Sequence, residues 1–177
     1  MTNKNQAPVD KNSREYLLQQ YSSGRVTLVA VLLLTVINVV LMITGSDRYF
    51  LFSASVPYYL TAFGMAFDGS GIGTFTLTAL VISAVILAVY LVCWLLAKKR
   101  PGWLTAALVL FIVDTAALLA LSVWMDMLWV NILDLVFHVL AAVSLWQAVR
   151  ASQKLKTMPE EMPVPQEEAH GTTPDLD

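Results

Sequence analysis

The sequence predicts an all-α, polytopic membrane protein whose four transmembrane helices form an antiparallel bundle. Three observations predict this fold class. Of the 177 residues, 57% are apolar and only 14% are charged, whereas soluble domains are about 45–50% apolar and about 25% charged. Four uncharged runs are long enough to cross a hydrocarbon core, which takes about 20 residues at about 1.5 Å per residue. The lysines and arginines also cluster before the first run, between the second and third runs, and after the fourth. This places nearly all of them on one side of the membrane, as the positive-inside rule expects.

The four predicted spans are residues 26–45, 75–97, 103–125 and 128–148. Because lipid offers no partner to exposed backbone groups, each span must be helical. The first span is too long for a signal-peptide core and no small-residue cleavage site follows it, so we expect a retained anchor. The single cysteine, Cys93, lies in the second span. A disulfide framework and a cysteine-based metal cluster are therefore not expected.

A fifth apolar run, residues 49–67, is uncharged but is interrupted by Pro57 and two serines. With four crossings, all lysines and arginines except Arg48 fall on one side of the membrane. With five crossings, the basic cluster 98–100 would lie outside, against the positive-inside rule. We therefore predict a protein of the cytoplasmic (inner) membrane with both termini cytoplasmic. Residues 49–67 then form an interfacial or partly re-entrant segment in the first outer loop.

The composition divides the chain into three parts. Residues 1–24 are expected to be a cytoplasmic N-terminal segment, residues 25–150 the transmembrane domain, and residues 151–177 a cytoplasmic tail. From about residue 157 this tail holds six acids, four prolines and no basic residue. Such a segment cannot bury enough apolar area to offset its chain entropy, so we expect it to be disordered. The tail is expected to be simply solvated, with docking to a cytoplasmic partner as the alternative.

Polar residues from all four spans fall within about one or two helical turns of the same depth. In the fourth span they form a stripe at i, i+3 and i+7. The candidates for a proton or ion relay at this level are Asn38, Ser83, Asp114, Asn131, Asp134 and His138.

A charged side chain at the bilayer centre costs about 2.5–3.5 kcal/mol on insertion scales, so neither aspartate is expected to persist there without a partner. Because the spans contain no lysine or arginine, His138 is the only side chain at that depth that can become cationic. We therefore expect at least one of Asp114 and Asp134 to be protonated or to share a proton with the imidazole.

Three functional interpretations follow. The favoured one is a structural or accessory membrane bundle, whose polar groups hydrogen-bond across helices and fix their register. The second is a subunit of a proton- or cation-coupled small-solute transporter, working as a homo-oligomer because four helices enclose little volume. The third is an intramembrane metal-dependent enzyme, for which Asp114, Asp134 and His138 are sparse candidate ligands.

The sequence contains no HExxH pair and no recognisable nucleophile motif, which favours a protein without enzymatic activity, catalytic residues or cofactor. The basic residues follow the membrane boundary instead of forming a groove. The lipid bilayer is therefore the predicted partner, and nucleic acid is not.

The stretch FLFSASVPYYL, residues 50–60, follows the first span. Together with the number of spans, it resembles a family of small four-helix bacterial integral membrane proteins. The resemblance covers one loop and the helix count. It implies a four-helix membrane fold but no activity, cofactor or site residue.

Overall fold

The computed structural model describes residues 13–69 and 71–159, and within these ranges the regular structure is entirely helical, with no strand. The helices in chain order are α1 (Arg14–Ile43), α2 (Ser55–Phe67), α3 (Thr74–Ala97), α4 (Gly102–Trp124) and α5 (Ile132–Thr157). All but α2 are long and apolar enough to cross a membrane. The prediction of an all-helical fold with four such helices is confirmed for the described residues. Four candidate spans fit a multi-pass membrane protein.

The outward faces of the long helices are apolar. Large aliphatic side chains stay more than half exposed on α1, α3, α4 and α5, for example Leu33, Val81, Val113 and Leu133. Contiguous apolar surface of this kind is rare on soluble monomers, because exposing apolar surface to water is energetically unfavourable. The exposed faces therefore fit contact with lipid.

Helix α1 begins at Arg14, ahead of the predicted span start at residue 26. Its N-cap is Ser13, whose side chain accepts a hydrogen bond from the Tyr16 amide at 3.3 Å. Leu17, Gly24 and Leu28 are all buried, so the packed face of the helix continues through this extension. The predicted boundary at residue 24 therefore falls inside a continuous helix. Residues 1–12 lie outside the described residues.

Helix α5 begins at Ile132 and ends at Thr157, so it is displaced toward the C-terminus relative to the predicted span 128–148. Asn131 is the N-cap and Asp134 lies in the first turn, where the free amides favour a carboxylate. The acidic stretch predicted to be disordered lies mostly outside the described residues, which end at residue 159.

The four long helices make a closed set of pairwise contacts, α1 with α5, α5 with α4, α4 with α3, and α3 with α1. At the α1–α5 contact, Gly24 lies so close to Ala148 that a Cβ added to the glycine would overlap the alanine methyl group. Nearby, the hydroxyls of Thr27 and Ser144 are 2.9 Å apart. Small residues and hydroxyl pairs are typical of close helix contacts in membranes.

Helix α2 packs mainly on α3 and also touches α1 and α4. A Cβ added to Gly64 would come within 2.9 Å of the Thr76 Cα, and the Ser83 hydroxyl donates to the Pro57 carbonyl at 3.2 Å. Since the start of α2 is next to Ser83 and its end next to Thr76, α2 runs opposite to the first half of α3. Pro57 lies in the first turn of α2, where its missing N–H removes no helical hydrogen bond.

Candidate functional site

The carboxylate of Asp114, in α4, lies at the first turn of α2. Its Oδ2 accepts a hydrogen bond from the Ser55 amide and its Oδ1 accepts one from the Val56 amide, both at 2.8 Å. The first amides of a helix have no partner within it, and they form the positive end of the helix dipole. Asp114, only 4% exposed, therefore caps α2 from a different helix.

The imidazole of His138, in α5, is fully buried beside this carboxylate. Its Nδ1 lies 2.8 Å from the carbonyl oxygen of Asp134. Its Nε2 lies 3.2 Å from Oδ2 of Asp114 and 3.1 Å from the Ser55 hydroxyl. The ring also stacks on Phe111, with centroids 5.2 Å apart and an interplanar angle of 8°. These contacts fix the ring with Nε2 directed at Asp114.

The hydrogen-bond partners of His138 determine where its protons lie. A carbonyl oxygen only accepts, so Nδ1 carries a hydrogen and donates it to Asp134. The contact between Nε2 and the Asp114 carboxyl then requires a second proton, because otherwise two lone pairs would face each other. Asp114 already accepts two amide hydrogen bonds, which favour its ionised form. We therefore place this proton on the imidazole, which makes Asp114 and His138 an ion pair.

Asp134 is the less satisfied of the two acids. Its Oδ2 accepts a hydrogen bond from the Tyr49 hydroxyl at 2.9 Å. Its Oδ1 lies 3.6 Å from the His138 Nδ1 and is buried without a hydrogen-bond partner. Among the described residues, the ion-pair contacts of Asp114 and Asp134 are both with His138. Two carboxylates and one imidazole leave the cluster one positive charge short.

Side chains of α1 hold the segment that precedes α2. The Asn38 side chain donates to the Phe50 carbonyl at 2.7 Å and accepts from the Phe50 amide at 2.8 Å. The Thr35 hydroxyl accepts from the Ala54 amide at 2.7 Å. These bonds fix the chain on both sides of Phe52, whose φ of 72° is uncommon for a residue other than glycine. The start of α2 is thereby held against Asp114.

The structure brings three of the six predicted relay residues together in one buried cluster, and the side chains of the other three bond to different groups. Asp114, Asp134 and His138 form the buried cluster. Asn38 binds the loop before α2, and Ser83 binds the Pro57 carbonyl. The Asn131 side chain donates to the Ser122 hydroxyl at 2.9 Å; Asn131 ends up at the N-cap because α5 begins later than predicted.

The sequence did not indicate Tyr49, Ser55 or Val56 as members of the site. Ser55 and Val56 contribute backbone amides, which leave no side-chain signature. The proline two residues after Ser55 could have signalled a helix start, since proline is favoured in the first turn of helices. Tyr49 is one of several tyrosines in the segment, and nothing in its spacing distinguishes it.

A cavity of about 280 Å³ borders Asp134. Three tyrosines line it, and their rings meet edge to face: Tyr49 and Tyr58 at 4.8 Å between centroids, and Tyr58 and Tyr59 at 5.5 Å. The full lining is Tyr49, Leu51, Tyr58, Tyr59, Met127, Val130, Asn131 and Asp134. One wall of the cavity is thus acidic and another aromatic.

The candidate metal ligands Asp114, Asp134 and His138 are not arranged as a coordination shell. Within residues 13–69 and 71–159, no three histidine, cysteine or acidic side chains are placed to hold a metal ion. Both nitrogens of His138 are already engaged by protein atoms. The three residues form a hydrogen-bonded cluster instead.

Comparisons with protein family models, with curated proteins and with solved structures found no match. The function therefore has to be inferred from the residues of the site.

Proposed function

We propose that this protein is a multi-pass protein of the cytoplasmic membrane, in which α1, α3, α4 and α5 form an antiparallel bundle with both termini cytoplasmic. The charge distribution supports this orientation, because Lys98, Lys99 and Arg100 join α3 to α4 and the basic residues of α5 lie in its last two turns. The chain from α1 to α2 is then an outer loop that enters the bundle, and α2 returns toward the outer surface.

The depth of Asp114 supports a re-entrant α2. Asp114 is twelve residues after Gly102 and ten before Trp124. At the helical rise it lies about 18 Å from one end of α4 and about 15 Å from the other. In a hydrocarbon core of about 30 Å this is close to the midplane. A half-length helix whose N-terminus meets an acid at the midplane resembles the broken helices that form ion and substrate sites in transporters.

We propose that the protein is a proton- or cation-coupled small-solute transporter subunit, and that Asp134 is its exchangeable site. The observation that carries this proposal is the buried Asp134 carboxylate, with one oxygen unbonded and a cavity beside it. Buried carboxylate oxygens in a purely structural role normally have hydrogen-bond partners, as both oxygens of Asp114 do. Because the cluster is one positive charge short, Asp134 needs a proton or a bound cation for neutrality.

Proton flux into liposomes tests this function. The purified protein is reconstituted into vesicles that contain a pH-sensitive dye, and a membrane potential is imposed. We expect wild type to carry protons and Asp134→Asn to lose that flux. Asp126→Asn, the same change at an exposed residue of the α4–α5 turn, should retain it. Equal flux in wild type and Asp134→Asn would contradict the proposal.

A structural or accessory bundle is the second candidate, and the bonds of Asp114 favour it. This side chain, in α4, bonds to residues of both α2 and α5 and so holds the three helices together. If the buried cluster only stabilises the bundle, vesicles that contain the wild-type protein show no proton flux. Asp114→Asn still lowers the thermal stability of the purified protein.

A further inference from the structure

We infer that the cavity beside Asp134 binds a small organic cation, with an ammonium group as its recognised feature. This inference names the solute class of the proposed transporter and in that respect rests on the proposed function. Eight residues line this cavity.

The charge of the cavity wall favours a cation. Asp134 is the one acidic residue in the lining, and the lining contains no lysine, arginine or histidine. Behind it, His138 is engaged with Asp114 at 3.2 Å, so its positive charge is already balanced. A cation in the cavity would supply the missing charge of the cluster. An anion would add repulsion, and a neutral solute would leave the imbalance unchanged.

The aromatic wall favours an organic ammonium over a metal ion. Tyr49, Tyr58 and Tyr59 present aromatic surface around the same space. Ring faces attract cations through their quadrupole, and aromatic cages recognise alkylated ammonium groups. A hard metal ion would need several oxygen ligands, and the lining includes the apolar residues Leu51, Met127 and Val130.

The size of the cavity limits the ligand. Sites for drug-sized ligands measure about 300–1,000 Å³, and this cavity, at about 280 Å³, falls just below that range. It therefore suits a compact ammonium of the size of choline.

Binding and proton release are linked by charge balance. Without a bound ammonium, the Asp134 carboxyl is protonated. When an ammonium enters, the O–H bond breaks, its electron pair stays on the carboxylate, and the proton leaves to water at the cavity mouth. One positive charge replaces another, so the charge of the buried cluster is unchanged.

Calorimetric titration of the purified full-length protein tests the inference, with choline as the probe and 3,3-dimethylbutan-1-ol as its neutral isostere. We expect choline to bind at least about tenfold more tightly than the isostere, because only choline carries the charge. Asp134→Asn should weaken choline binding about tenfold or more, because it removes the negative charge that attracts the cation. Tyr59→Leu should also weaken it, and Tyr59→Phe should restore most of it, because the ring face is kept.

Tyr16→Leu provides the matched control, because Tyr16 lines a different cavity and its loss should leave choline binding unchanged. The inference is overturned if wild type does not bind choline, if the isostere binds equally well, or if Tyr59→Leu binds like wild type. If Asp134→Asn does not fold, the isostere comparison and the Tyr59 variants decide.

The two proposals fail in different ways. Proton flux without choline binding overturns the cation site and leaves the transport function standing. Choline binding without proton flux, in vesicles that have choline on one side of the membrane, retains the cation site and removes the transport function.

Discussion

The Nε2 atom of His138 lies 3.2 Å from Oδ2 of Asp114, although the two residues are 24 positions apart in the sequence. The contact joins α5 to α4 inside the protein. Because the same carboxylate binds the first two amides of α2, one buried ion pair holds three helices in register.

Replacing Asp114 with asparagine should destabilise the protein strongly. The amide group of asparagine would put N–H groups against the α2 amides or the imidazole, leaving buried donors unpaired and removing the partner of His138. Breaking one side of a buried pair costs about 3–5 kcal/mol. Thermal unfolding in detergent measures the loss, and Asp126→Asn is the matched control. An unfolding midpoint equal to that of wild type would show that the capping bonds contribute nothing.

The Asp114–His138 pair should show energetic coupling in a double-mutant cycle. Asp114→Asn and His138→Ala remove the same contact, so the double variant should be more stable than the sum of the single losses predicts. Residues in direct contact typically couple by about 0.5–3 kcal/mol. Denaturation of wild type, both single variants and the double variant gives the coupling energy. Strictly additive losses would contradict the ion pair.

Gly64→Ala should separate α2 from α3. The new methyl group would lie 2.9 Å from the Thr76 Cα and 3.0 Å from the Phe75 carbonyl oxygen, and neither backbone atom can move aside like a flexible side chain. Overpacking of this kind costs about 1–3 kcal/mol. Gly102→Ala is the control, because nothing lies within 4 Å of the Cβ it would add. Comparable unfolding midpoints for the two variants would be inconsistent with the observed packing.

Asp68 should make the free energy of unfolding depend on pH in the acidic range. The Asp68 pKa is below its ordinary value mainly because the hydroxyl and the amide of Thr76 donate hydrogen bonds to the carboxylate. Because the folded pKa is lower than the unfolded one, this contribution to stability is complete above the unfolded pKa. It is lost as the pH falls through the folded pKa.

The corresponding measurement is the unfolding midpoint of wild type and Asp68→Asn between about pH 6 and about pH 2. The advantage of wild type over Asp68→Asn should shrink as the pH falls. A gap between wild type and Asp68→Asn that stays constant over the range would contradict the role given to the Thr76 bonds.

The number and approximate positions of the long helices could be predicted, because an uncharged run long enough to cross a membrane is stable in lipid only as a helix. Helix ends were harder to predict. Leu17 and Gly24 are buried against other helices, so tertiary packing extends α1 into a stretch whose polar composition suggested a separate segment. At α5, the apolar residues Leu128 and Val130 lengthened the predicted span, although they lie in the turn before the helix.

The core of the site could also be predicted in part. Counting residues from the span ends placed Asp114 and His138 at a common depth, and the cost of a buried charge required a partner. Asn131, which the helical spacing grouped with Asp134 and His138, donates to Ser122 at the start of α5 and lines the cavity beside Asp134. The amide donors of Ser55 and Val56 could not be found in this way, because backbone groups look alike at every position.

Infrared spectroscopy of the purified protein tests the central claim most directly, namely that Asp134 holds an exchangeable proton while Asp114 is ionised beside His138. At neutral pH, wild type should show the carbonyl stretch of a protonated carboxyl, and the band should disappear in Asp134→Asn while persisting in Asp126→Asn. Absence of this band from wild type without added ammonium, or its persistence in Asp134→Asn, would contradict the account.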